Sequence, residues 1–243
     1  MAAPPAPPSP ARLLPSLHVF GPDDAPNTVE LYLDFVCPRS RALFRATIMG
    51  PSRDMDGVEM SAGALAVIFG DPKFKTRFKV VVRPFVQGVH LGSKVTHEVA
   101  LAVLTVAGDQ FWSFCNAVFD AQLTSENYFD QRVDDMTPNA LRAELITVFN
   151  GVLPPNIDEP TIVPRVRILT SQKSNPMSAE IEKSIPQAGS LPICESLKQV
   201  IQKSYRNPAS APGVALWNGA IIPEFSPNWG QLEWTTFLMS RLS

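Results

Sequence analysis

The sequence predicts an α/β protein in which a long helical segment interrupts a sheet. Short apolar runs with alternating or β-branched character are separated by segments of helical periodicity, the pattern of an α/β sheet. From about residue 94 to 205 the chain reads as helical, and strand character returns at 212–225. The predicted order is strand, strand, helix, strand, helical segment, hairpin, helix.

The first strands follow a tail rich in proline and alanine. Residues 1–16 lack the apolar core of a secretion signal, and we interpret them as a disordered tail. Leu17–Phe20 and Val29–Phe35 flank the turn cluster GPDDAPNT, and both are predicted strands. The β-branched run RFKVVVRPF, at 77–85, predicts the next strand.

The helical segment is predicted to be an insertion in the sheet. DQFWSFCNAVFDAQ carries apolar residues at i, i+3, i+4, i+7 and i+8, which is an amphipathic stripe. We therefore predict a core formed by 17–92 and 206–243, and an inserted helical subdomain at 93–205. In the second part of the core, Asn218-Gly219 predicts a hairpin turn, and NWGQLEWTTFLMSRL predicts a terminal helix.

Composition argues against several classes of partner. The 243 residues are 45% hydrophobic, which is enough for a sizeable core. The net charge is −2 and no block of lysine and arginine is present, so we expect no nucleic-acid or anionic-membrane partner. No apolar run approaches the roughly 20 residues needed to cross a bilayer.

Cysteine and histidine are sparse and scattered. The residues are Cys37, Cys115, Cys194, His18, His90 and His97. Three cysteines do not make a disulfide framework, and with no export signal recognised we expect a reducing compartment, the cytoplasm. No Cys/His cluster has zinc spacing, so no metal site is expected. We expect Cys115 and Cys194 to be small buried apolar residues.

Cys37 lies where a predicted strand gives way to a predicted helix. A helix N-terminus presents unpaired N–H groups and partial positive charge, and these stabilise a thiolate. Pro38 suits the first helical turn, Arg39 adds a positive charge, and Ser40 offers a hydroxyl to the sulfur. We therefore predict that Cys37 is the reactive residue and that Ser40 lies beside it in the catalytic site.

These motifs resemble the DsbA-like thioredoxin-fold family. The turn GPDDAP, a strand ending in Asp34-Phe35 and a helix starting at Cys37-Pro38 resemble that family's active-site segment. FWSFCNAVFDAQ resembles a helix of its helical insertion, and SAPGVALWNG resembles the loop in which a cis-proline faces the cysteine. The resemblance covers roughly residues 17–240 and implies a thioredoxin-like fold with an inserted helical subdomain.

One departure from the family pattern concerns its second cysteine, which is Ser40 here. Cys37 therefore has no partner three residues away for an internal disulfide, and single-thiol chemistry is implied. The resemblance makes Pro212 the candidate cis-proline and places Ala211 where its backbone pairs with an extended substrate; a trans proline in an ordinary turn is the alternative. With Pro38 and Arg39, these residues are predicted to line the substrate site.

Related proteins suggest an alternative. In kappa-class glutathione transferases and 2-hydroxychromene-2-carboxylate isomerases, the motif resembles D-x-x-S-P-Y-S, with serines at the positions of Cys37 and Ser40. Those enzymes hold a glutathione thiolate at the helix N-terminus. Ser40 resembles this branch, whereas Cys37 resembles the dithiol branch.

Further residues are assigned by their place near the cysteine or in apolar stripes. His90, before the helical segment, is a candidate substrate-binding residue, and His97 is interpreted as a surface or capping histidine. Asp34 is interpreted as a helix cap in preference to a buried proton relay. Trp112, Phe114 and Phe119 are predicted core residues, as are Trp217 and Trp229.

Three functions therefore stay open. The first is a single-thiol thiol–disulfide oxidoreductase acting through Cys37 on a small thiol or a protein disulfide. The second is a glutathione-dependent transferase or isomerase acting on a small aromatic or polyketide-like molecule. The third is a redox-inactive binding protein of thioredoxin fold. No cofactor is expected to be tightly bound, glutathione is the candidate cosubstrate, and a homodimer is left open.

Overall fold

The computed structural model of the chain describes most of the sheet and of the helices around it. The described residues are 17–49, 52–53, 59–60, 62–86, 90–124, 133, 135–155, 159–170, 177 and 214–242. The predicted tail 1–16, Cys194, Ala211 and Pro212 lie outside them, as does the last part of the predicted helical segment, from 178 to 205.

The strands form one main sheet and one small hairpin. Their bounds are β1 (His18–Phe20), β2 (Asn27–Leu33), β3 (Ser52–Arg53), β4 (Glu59–Met60), β5 (Phe78–Pro84), β6 (Val214–Trp217) and β7 (Ala220–Ile221). The main sheet has the order β1-β5-β2-β6-β7, and β3 pairs with β4. The α/β class is confirmed, whereas the β3–β4 hairpin was not expected.

Helices occupy the connections between the strands. Their bounds are α1 (Pro38–Thr47), α2 (Ala64–Phe69), α3 (Pro72–Lys75), α4 (Ser93–Val106), α5 (Phe111–Thr124), α6 (Pro138–Gly151), α7 (Glu159–Thr170) and α8 (Gln231–Leu242). A short 3-10 turn, Gly108–Gln110, precedes α5. The helices α4 to α7 all fall between β5 and β6, within the segment that was predicted to be helical.

The parallel pair β2–β5 forms the centre of the sheet. Val29 lies opposite Val80 and Leu31 opposite Val82, while β1 runs antiparallel to β5 and β6 antiparallel to β2. Because β2 is hydrogen-bonded on both edges, it ends in the middle of the sheet. In α/β sheets, binding sites lie outside the carboxyl ends of such strands, and Cys37 follows this end of β2.

Apolar side chains of β2 and α1 pack in one core that continues into the helical layer. Val29, Leu31 and Leu33 have no solvent exposure and belong to the same cluster as Leu43 and Phe44 of α1. The predicted aromatic core residues Trp112, Phe114, Phe119, Trp217 and Trp229 all belong to this cluster or pack against it.

Helix α4 lies at the centre of the helical layer. It packs against α5, α6 and α7. All residues from Thr96 to Leu104 are buried, so its whole circumference is covered over these two and a half turns. The covered residues include the polar Thr96, His97 and Glu98 as well as an apolar run from Val99 to Leu104, and a helix buried on all sides is typical of the interior of a protein.

The predicted turn at Asn218-Gly219 is confirmed by its backbone. Both residues have positive φ, 49° and 81°, as a two-residue primed turn requires. The Asn218 side chain also accepts a hydrogen bond from the Thr28 N–H at 2.7 Å and donates one to Asn27 at 2.9 Å. The hairpin is therefore fixed to the first residues of β2.

Candidate functional site

Cys37 lies at the junction between β2 and α1, as predicted. It is the N-cap residue of α1, with extended backbone angles (φ −87°, ψ 125°), and Pro38 occupies the first helical position. Its carbonyl oxygen accepts the Arg41 N–H at 3.0 Å, which closes the first helical turn. The residue is 7% exposed, while the neighbouring Pro38 is exposed and Arg39 is half-buried. Cys37 therefore directly precedes the helix start, whose first N–H groups lack partners within the helix, although its side chain makes no capping hydrogen bond to them.

Asp34 organises the loop that carries Cys37. Its carbonyl oxygen accepts the Cys37 N–H at 2.9 Å, and its carboxylate oxygen Oδ1 accepts the Val36 N–H at 3.1 Å. The same Oδ1 accepts the hydroxyl of Ser93, the first residue of α4, at 2.9 Å. Asp34 has no solvent exposure. The interpretation of Asp34 as a helix cap was wrong, because the N-cap residue of α1 is Cys37, while the Asp34 carboxylate binds the loop and α4.

Ser40 is buried one turn into α1. Its hydroxyl oxygen accepts the Asp34 N–H at 3.0 Å, so it holds the end of β2 against the helix start. This bond uses a lone pair of the oxygen and leaves the hydroxyl hydrogen able to donate. The hydrogen bond from Ser40 to the sulfur stays a prediction.

His97 is a buried residue, contrary to the expectation of a surface or capping histidine. It has no exposure and stacks on Phe35, with 4.6 Å between the ring centroids. Its Nδ1 lies 2.9 Å from the Ser93 carbonyl oxygen and its Nε2 lies 3.5 Å from the Leu33 carbonyl oxygen. Both carbonyls can only accept, and the shorter contact assigns the proton of the neutral ring to Nδ1. Burial lowers the His97 pKa from 6.5 to about 4, against the opposing effect of the backbone hydrogen bonds.

The remaining predicted site residues are partly described. His90 is half-buried at the entry to α4, where its carbonyl oxygen accepts the Ser93 N–H at 2.9 Å. It therefore lies in the same segment as the residue that contacts Asp34. Ala211 and Pro212 lie outside the described residues, so their predicted place beside Cys37 stays a prediction.

An ionic contact that the sequence did not predict joins α1 to α5. Arg41 and Arg45 both donate to Oδ1 of Asp120, and Asn116 donates to Oδ2 of the same carboxylate at 3.3 Å. Burial lowers the pKa of the Arg41 guanidinium, Arg45 lowers it further, and Asp120 opposes both effects. The helix that begins at Cys37 is thus attached to the helical layer by charge as well as by apolar packing.

The other described cysteine is separated from the site by burial. Cys115 is 1% exposed within the apolar stripe of α5, as predicted, and burial raises the pKa of its thiol well above the ordinary value. Both Cys37 and Cys115 are free thiols. Over the described part of the chain, no three His, Cys, Asp or Glu side chains gather as a metal site. Within the same residues, the longest apolar helices are too short to cross a membrane.

Solved structures resemble this fold. Oxidised BdbD from Bacillus subtilis is 18% identical, with 93% of each chain covered and a TM-score of 0.50. MdbA, a thiol-disulfide oxidoreductase from Actinomyces oris, is 12% identical, with 89% of this chain and 80% of that chain covered and a TM-score of 0.50. Chlamydia trachomatis DsbA is 11% identical, with 98% and 97% covered and a TM-score of 0.49. No protein-family model and no curated protein matches the sequence.

The sheet order, the cysteine at the strand–helix junction and the helical layer between β5 and β6 define one class of fold. The chain has the DsbA-like thioredoxin fold, with a helical segment inserted between β5 and β6. At identities of 12% and 18% the likeness to MdbA and BdbD establishes this fold.

Proposed function

We propose that the protein is a single-thiol thiol–disulfide oxidoreductase that acts through Cys37. The observation that carries the proposal is the position of Cys37 as the N-cap of α1 at the carboxyl end of β2, followed by Pro38 at the first helical position. Thiolates at helix N-termini are stabilised and reactive. MdbA, which has the same fold, is described as a thiol-disulfide oxidoreductase, and this supports the same class of reaction.

The proposed reaction has two steps. The Cys37 thiolate attacks one sulfur of a substrate disulfide, which forms a mixed disulfide and releases the other sulfur as a thiolate. An external thiol then attacks the mixed disulfide at the substrate sulfur and releases Cys37 as a thiolate. The products are a new disulfide between the substrate and the external thiol, and the regenerated enzyme. A second external thiol then attacks this new disulfide away from the enzyme and releases the remaining substrate sulfur as a thiolate. The two external thiols leave joined as a disulfide, and they have thereby supplied the electron pair that reduces the substrate.

Two residues support the need for an external thiol. The position three residues after Cys37 is Ser40, whose oxygen is bound to the Asp34 N–H and cannot form a disulfide. Cys115 is enclosed in the core of the helical layer, and its raised pKa keeps it as an unreactive thiol. We propose glutathione as the external thiol and either a protein disulfide or a small disulfide as the substrate.

The test is mixed-disulfide formation followed by release. The full chain is incubated with glutathione disulfide, the adduct is mapped by mass spectrometry, and reduced glutathione is then added. We expect an adduct on Cys37 that reduced glutathione removes, together with reduction of a protein disulfide that Cys37→Ala abolishes. Cys115→Ala is the matched control and should retain the activity, because that thiol is buried.

Other outcomes point to the alternative functions. Reduced glutathione that protects Cys37 from alkylation without forming an adduct would favour a glutathione-dependent transferase or isomerase. A Cys37 that neither reacts with glutathione disulfide nor is protected by glutathione would refute both catalytic proposals and favour a binding protein.

A further inference from the structure

The position of Cys37 depends on a loop of three residues that follows β2. Within this loop Asp34 accepts the Cys37 N–H with its carbonyl oxygen at 2.9 Å and the Val36 N–H with its carboxylate at 3.1 Å. Its own N–H is bound to Ser40 of α1 at 3.0 Å. A displacement of Asp34 would therefore move the backbone on which the thiol is carried.

A contact to the Asp34 carboxylate from outside the loop comes from the helical layer. The hydroxyl of Ser93 donates to Asp34 Oδ1 at 2.9 Å, across 59 positions of sequence, and neither residue has solvent exposure. A hydrogen bond to a buried carboxylate is about twice as strong as one between neutral groups. Removal of the donor leaves the carboxylate with one donor fewer at a site that water does not reach.

The orientation of Ser93 is in turn fixed by the first turn of α4. Its N–H donates to the His90 carbonyl oxygen at 2.9 Å, and its own carbonyl oxygen accepts His97 Nδ1–H at 2.9 Å. His97 stacks on Phe35, which is the residue directly after Asp34. The start of α4 therefore contacts the Cys37 loop at two consecutive residues.

We propose that Ser93 is a positioning residue for Cys37, which acts by holding the Asp34 carboxylate so that the loop keeps the thiol at the N-terminus of α1. The helical layer then contributes to the reactivity of the thiol through a buried hydrogen bond, in addition to covering the site. This proposal rests on the proposed function for its effect on reaction rate, but its structural part is independent of that function.

The structural part is tested by amide hydrogen exchange on the full chain. In Ser93→Ala, the Val36 and Cys37 amides should exchange about 10- to 100-fold faster, which is the factor expected for loss of a hydrogen bond to a charged group. The Leu31 amide in the centre of β2 should change less than threefold, because the sheet keeps its hydrogen bonds. In an Asp34→Asn background the effect of Ser93→Ala should shrink to a few-fold, since the acceptor is then neutral.

Thr96→Val is the matched control. Thr96 lies three residues further along α4, is 1% exposed, and donates its hydroxyl to the Gly92 carbonyl oxygen at 2.9 Å within its own helix. The variant loses a buried hydroxyl of the same helical turn, and the bond that this hydroxyl makes is to Gly92 and not to the Cys37 loop. We expect the Val36 and Cys37 amides to exchange at the wild-type rate in Thr96→Val.

The catalytic part is tested by the rate at which Cys37 forms a mixed disulfide with glutathione disulfide. We expect Ser93→Ala to lower this rate about tenfold and Thr96→Val to leave it within twofold of wild type. Unchanged Val36 and Cys37 exchange in Ser93→Ala, or an equal increase at Leu31, would overturn the positioning role. An unreactive Cys37 in the wild type would instead overturn the proposed function, while hydrogen exchange would still decide the role of Ser93.

Discussion

Lowering the pH from 6.5 to 4 is expected to destabilise the protein through His97. The imidazole is fully buried, and burial lowers its pKa from 6.5 to about 4. In this interval the unfolded chain binds a proton at residue 97 and the native chain does not. The unfolding free energy therefore falls as the pH falls, by about 1.4 kcal/mol for each pH unit.

The size of the effect follows from the two pKa values. The interval between 6.5 and about 4 corresponds to about 3 kcal/mol of unfolding free energy. This contribution is fully present above pH 6.5 and is lost once the pH reaches about 4. A loss of this size is a large fraction of the 5 to 15 kcal/mol that is typical of folded domains, so it should be measurable.

Urea denaturation at a series of pH values, followed by tryptophan fluorescence, provides the measurement. The matched variant is His97→Gln, which does not titrate and whose side-chain amide can still donate to the Ser93 carbonyl. Carboxylates that titrate below pH 5 are present in both proteins, so the difference in slope isolates residue 97. His18→Gln is the second control, since His18 pairs with the exposed Asp23 at the edge of the sheet. Equal pH dependence in wild type and His97→Gln would refute the reasoning.

Two further outcomes test the site and the sheet. Ser40→Cys should allow an internal disulfide with Cys37. It should be seen as loss of both free thiols on mild oxidation and as release of a mixed disulfide without added thiol. Persistence of both thiols would contradict the expected proximity of the two side chains. Gly219→Ala should lower the unfolding free energy by about 1 to 2 kcal/mol because Gly219 has a φ of 81°, and this is measured by urea denaturation. Gly108→Ala is its control, since an added Cβ there meets no atom within 4 Å, and equal losses in both variants would remove the backbone explanation.

The parts of the fold that could be predicted are those that depend on residues adjacent in the sequence. The Asn218-Gly219 turn needs two residues with positive φ, which few dipeptides adopt easily. Its position could therefore be predicted from the Asn-Gly dipeptide alone. The Cys37-Pro38 helix start was also local, because proline is well suited to the first helical position. The β3–β4 hairpin was missed because strands of two residues carry no periodicity.

The support of the site could not be predicted, because it depends on residues distant in sequence. Asp34 and Ser93 are brought together by the packing of α4 against the end of β2, and no local pattern reports that contact. The burial of His97 had a signal that was not used. The histidine lies in the stretch KVTHEVALAVLTVAG, whose apolar residues fall on all sides of the helix that it forms. Such a distribution predicts a buried helix.

Ser40 shows what the absence of a second cysteine means physically. A serine oxygen accepts the Asp34 N–H at 3.0 Å and so keeps the end of β2 joined to the start of α1. The geometry around Cys37 therefore does not require a second sulfur, whereas an internal disulfide does. Under the proposed function, a serine at position 40 removes the internal-disulfide step of a dithiol reaction and leaves the first step, attack by Cys37, with this structural support in place.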